Sequence, residues 1–94
     1  MDTDTEKLQR RREDCRRDTL AFLALRSPNA FRNAAIKELI NRDMSAAYSA
    51  TEIMAAVIFL EQMGHVQRIP DPFGTNDHFR ASSQGQLAYE RSQV

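Results

Sequence analysis

Ser49-Ala50-Thr51-Glu52-Ile53-Met54-Ala55-Ala56-Val57-Ile58-Phe59-Leu60-Glu61-Gln62-Met63-Gly64-His65-Val66 is the stretch that decides the fold. Ser49 followed three residues later by Glu52 is a capping box, in which each side chain satisfies a backbone N–H that a helix start leaves free. Gly64 stands where a helix end calls for a residue in the left-handed region. Between these signals Ile53, Val57 and Leu60 recur at i, i+4 and i+7. This spacing predicts a helix over about 50–63 with one face in the core.

Downstream, the periodicity changes from helical to alternating. His65-Val66-Gln67-Arg68-Ile69 reads as a strand, and His78-Phe79-Arg80-Ala81 as its return. The segment between them, Pro70 to Asp77, is dense in turn formers. Ser83-Gln84-Gly85-Gln86 then opens a last short helix that runs to about Ser92. Upstream, Ala35, Ile36, Leu39 and Ile40 share one face of a helix over about 30–42, and Asp43-Met44-Ser45 breaks it. Residues 3–26 read as one long helix that Ser27-Pro28 stops. Thr3 with Glu6 forms a capping box at its start, and Glu6–Arg10 and Glu13–Arg17 are favourable i,i+4 pairs. Leu20, Phe22, Leu23 and Leu25 are expected to give this helix a buried face. Between Leu8 and Leu20 only Cys15 is apolar, so residues 1–17 read as a charged, solvated helical extension of a domain over 18–92. The class is mainly α with a small β-hairpin (α+β), in the order helix, helix, helix, strand, strand, helix.

The chain has 94 residues, enough for one domain with a modest core. Its hydrophobic fraction of 41% and charged fraction of 28% describe a globular chain and not a disordered one. No apolar run is long enough to span a bilayer, and Met1-Asp2-Thr3-Asp4 does not resemble a signal peptide. A lone Cys15 supports neither an internal disulfide nor a cysteine metal cluster, so a cytoplasmic setting is expected. Net charge is zero, which is unusual for a protein that neutralises phosphates. Its distribution is uneven. Residues 1–17 carry six basic and five acidic side chains, residues 18–42 four and two, and residues 43–94 three and six. The segment with the decisive helix and hairpin is therefore the acidic one.

Leu60-Glu61-Gln62-Met63-Gly64-His65-Val66 and the looser Ala81-Ser82-Ser83-Gln84-Gly85 resemble two marks of the winged helix-turn-helix transcription regulators. These are the helix end that leads into the wing and the start of the helix after it. Within that superfamily the chain is most similar to small ArsR-like winged-helix proteins of Mu-like phages and prophages. Arg32-Asn33-Ala34, Ser49 and Phe59 to Gly64 carry that closer likeness. The resemblance covers roughly residues 18–91. It implies a DNA-binding transcriptional regulator in the host cytoplasm whose helix over 50–63 enters the major groove, with the hairpin as a wing.

The residues themselves leave two readings open. Arg32, Asn33, Thr51, Arg68, His78 and Arg80 are the candidate contacts to double-stranded DNA. However, the outward side of the decisive helix, Ala50, Thr51, Met54, Ala55 and Ile58, offers one hydroxyl where base readout calls for Arg, Lys, Asn or Gln. A helix apolar on both sides is normally covered on both. Met54, Ala55 and Ile58 are thus alternatively a homodimer seam or protein-partner face, or are covered by the first helix or C-terminal tail. Arg68 and Arg80 could equally pair with Asp71 or Asp77. His65, after the cap glycine, is expected to pack in part. No cofactor, metal site or enzymatic motif is expected, since His65, His78 and Cys15 do not make a ligand set.

Overall fold

The computed structural model describes residues 3–74 and 76–93. Four helices and three strands follow in the order α1 (Thr3–Leu25), β1 (Phe31–Arg32), α2 (Asn33–Met44), α3 (Ala50–Gln62), β2 (Val66–Ile69), β3 (His78–Ala81) and α4 (Ser83–Ser92). The fold is mainly helical with a small antiparallel sheet. Both predicted ends of α3 form as expected. Ser49 Oγ accepts from the Glu52 N–H while the Glu52 carboxylate accepts from the Ser49 N–H. Gly64 takes φ +79° and turns the chain into β2.

The sheet corrects the expected two-stranded hairpin. Strand β3 lies in the middle, between β2 and β1. β1 occupies residues expected to open the second helix: Phe31 faces Phe79, and Arg32 faces His78. Two residues carry no period of their own, so the pairing is decided by the partner strand. It also positions Phe31 against Phe22 of α1, with ring centroids 5.1 Å apart in an edge-to-face contact.

The core joins Phe22 and Leu23 of α1, Ile36 and Ile40 of α2, and Ile53, Val57 and Leu60 of α3 to Val66 and Phe79 of the sheet. Leu25, expected inside, is 65% exposed. Two residues beyond Leu23, it is rotated about 200° round the helix and faces solvent. The buried stripe instead extends towards the N-terminus through Thr19 and Cys15, at i,i+4 steps from Leu23. These small side chains allow α1 to approach α3 closely, and the Cys15 thiol donates to the Glu52 carbonyl at 3.6 Å. α1 is therefore one continuous helix whose packed part begins well inside the segment read as a solvated extension.

The link from α2 to α3 is tied to α2 and α1 by side-chain hydrogen bonds. The Asn41 amide donates to the Tyr48 carbonyl and accepts from the Tyr48 N–H, both at 2.9 Å. The buried Tyr48 hydroxyl donates to Asp18 of α1 at 2.8 Å, and its pKa is raised by burial and by that carboxylate. At the far end of the chain Ser82, one residue earlier than expected, caps α4 by accepting from the Gly85 N–H.

Candidate nucleic-acid interface

The exposed side of α3 is a single stripe. Thr51, Ala55, Ile58 and Gln62 recur at i, i+4, i+7 and i+11, and all four are exposed. Met54, expected on the same patch, is half-buried against the core and turned to one flank. Neither α1 nor α4 covers the stripe. Gln62 was missed by sequence reasoning, and its amide can both donate and accept at this surface. The i+4 step from Ile58 would have found it.

On one flank lies α1. Leu8, Arg11, Arg12, Cys15 and Arg16 face Thr51, Glu52 and Ala55 across a groove of about 580 Å³. Arg11 is committed: its guanidinium pairs with both Glu52 oxygens and donates to the Ala47 carbonyl at 2.7 Å. The Arg16 guanidinium stacks 3.7 Å from the Phe59 ring centroid. Among the described residues neither Arg12 nor Arg16 has an acidic partner. Of the acidic residues in this helix stretch, Asp14 pairs with Arg17 and Glu13 accepts from Gln9.

On the other flank, Arg32, Asn33, Met54, Arg68, Asp77 and Phe79 border a cleft of about 330 Å³. Asn33 donates to the Ala50 carbonyl at 3.4 Å and ties the start of α2 to the start of α3. Arg68 is fully engaged. It meets both Glu61 oxygens at 3.0 Å and Asp77 at 3.1 Å, and lies 5.1 Å from the Phe79 ring centroid. The pairing foreseen with Asp77 is present, and Glu61 of α3 adds to it. Alternation in the sheet puts Phe79 and Ala81 inward and His78 and Arg80 on the outer face, where Arg32 is in register with His78. Arg80 there donates to Gln67 at 3.0 Å, and Arg32 has no ion pair among the described residues. Of the six predicted nucleic-acid contacts, the outer sheet face gathers Arg32, His78 and Arg80. Asn33 sits at the cleft, Thr51 on the stripe, and Arg68 in its acidic pairs.

Electrostatics by surface thus differ from electrostatics by segment. Of the acids at α3, Glu52 is paired to Arg11, whereas Glu61 and Asp77 share Arg68 and leave one negative charge at the hairpin. Among the described residues Arg12 and Arg16, without acidic partners, border the groove beside Thr51 and Ala55, and Arg32 borders the opposite cleft beside Met54.

Hydrogen bonding from Arg11 and the Ser49 N–H holds the Glu52 carboxyl at about 2, against its ordinary 4.5. A depressed folded-state value contributes stability above the unfolded value and loses it as pH falls through the folded one. The stability gap between wild type and Glu52→Gln should therefore be full at neutral pH. It should close between about pH 4.5 and 2 in urea titrations. A gap that stays constant across that window would mean that the carboxylate charge is not what stabilises this corner.

The hairpin tip is braced from α3. Asp77, held by Arg68, accepts from the Asp71 N–H at 3.2 Å, and Asp71 accepts from the Phe73 N–H at 2.9 Å. That turn presents Phe73 at 96% exposure. Burial pushes the Cys15 thiol up to about 11, so it stays protonated at neutral pH. Among the described residues no three His, Cys, Asp or Glu side chains are grouped to hold a metal ion, and no helix is long and apolar enough to cross a membrane. No family model matches the chain, and no curated protein or solved structure matches it either.

Proposed function

We propose that the chain is a winged-helix domain that binds double-stranded DNA, with α3 in the major groove and the β2–β3 hairpin as its wing. The observation that carries this reading is the exposed α3 stripe beside the Arg12 and Arg16 guanidinium groups, which have no acidic partner among the described residues. Support also comes from the element order and from the tie between the starts of α2 and α3. The stripe offers bases only the Thr51 hydroxyl and the Gln62 amide. Most of the affinity then comes from phosphates, and discrimination between sequences is shallow. A role in transcriptional control of a phage or prophage is what the family resemblance implies for such a domain.

The test is fluorescence anisotropy on mixed-sequence duplexes across a salt series. Arg32→Ala and Arg80→Ala should each weaken binding alike on unrelated sequences and reduce the salt slope by about one. Arg68→Ala should act through the wing brace, lowering stability and leaving that slope nearly unchanged. Undetectable binding at about 50 mM salt removes the DNA reading.

One observation favours a second reading, a protein-interaction module. Phe73 is bare at the braced tip, and Asp71 and Asp77 beside it repel phosphate. Ala55 and Ile58 add apolar surface on α3. The two readings diverge in the same titration, since only the first gives a salt-dependent complex with DNA.

A further inference from the structure

We propose that Arg12 and Arg16 of α1 form a second phosphate-binding flank, so that a duplex seated on α3 is held on both sides. This rests on the DNA reading above and adds residues to it that lie outside the helix-turn-helix and its wing. Arg12 and Arg16 border the same groove as Thr51 and Ala55, so a backbone that passes the start of α3 meets them next. They are one helical step of four residues apart, about 6 Å along the axis, close enough to meet neighbouring phosphates of one strand. Stacking on Phe59 orients the Arg16 guanidinium, which has no hydrogen-bond partner among the described residues, and so reduces the ordering cost of a phosphate contact. Arg11, the third guanidinium of the groove, is spent on Glu52 and neutralises the one carboxylate among the groove's lining residues. Opposite, Arg32 at the second cleft serves the other strand.

The experiment compares two double variants of the full chain by anisotropy on two unrelated duplexes over a salt series. Circular dichroism and thermal midpoints confirm that each variant is folded. Arg12→Gln with Arg16→Gln removes the proposed flank. Arg10→Gln with Arg17→Gln removes the same formal charge from the far side of the same helix. The first pair should lower the magnitude of the log–log salt slope by about two on both duplexes. The second should change it by less than half as much. If wild type binds but both pairs have equal effects, or the first has none, the flank is overturned and the DNA reading survives. If wild type does not bind DNA, both fall.

Discussion

Phe22→Ala is expected to destabilise the domain by about 4 kcal/mol, within the range for emptying a buried aromatic site. Phe22 is 1% exposed at the point where α1 meets the sheet. Its ring meets Phe31 edge to face, and the Arg26 guanidinium lies 4.0 Å from its centroid on the way to Asp43. The effect should exceed that of a simple cavity because Phe31 belongs to a strand of only two residues. β1 pairs with β3 through Phe31 and Arg32 alone, and the Phe22 contact holds the first of these inward. Native stability of domains this size is about 5–15 kcal/mol, so the substitution removes a large share of it. Urea unfolding reads the loss, and hydrogen exchange at Phe31 and Arg32 should rise before that of α3. A loss below about 2 kcal/mol, with β1 still protected, would mean that β1 does not depend on this contact.

Gly85→Ala should cost about 3 kcal/mol, at the upper end for overpacking. A Cβ at this position would lie 2.0 Å from the His65 carbonyl oxygen and 2.8 Å from its carbon. Both atoms are backbone, so no side chain can swing aside. The same carbonyl accepts the Ser82 N–H at 3.0 Å, and Ser82 Oγ donates to the Gly64 carbonyl. To admit a methyl group, α4 must withdraw from the α3–β2 corner and release these bonds. At about 4–8 °C per kcal/mol the thermal midpoint should fall by about 12–24 °C. A fall of less than about 5 °C would show that α4 docks loosely.

What could be read in advance followed from locality. The capping box at Ser49, the left-handed Gly64 and the inward trio Ile53, Val57 and Leu60 depend on neighbours within a few residues, and each formed as expected. β1 depends on β3, almost fifty positions away, and two residues carry no alternation to detect. The inward turn of Cys15 and Thr19 was hidden because one isolated apolar residue makes no period and a hydroxylated side chain does not count in one. They are buried because α3 presents Ala56 and a backbone carbonyl to them. The same contact explains why charge by segment misled. The C-terminal half is acidic in sum, yet α1 lies along α3 and brings Arg11 to Glu52, with Arg12 and Arg16 beside it. Arg68 was legible as a partner of Asp77, but not of Glu61, whose position follows from how α3 meets β2.

The most direct measurement is the affinity of the wild-type chain for a mixed-sequence duplex between about 50 and 200 mM salt. Four phosphate contacts, from Arg12, Arg16, Arg32 and Arg80, at about −0.9 each correspond to a log–log slope near −3.6, similar for unrelated sequences. An affinity indifferent to salt, or no complex at the lowest salt, would contradict DNA binding by this surface.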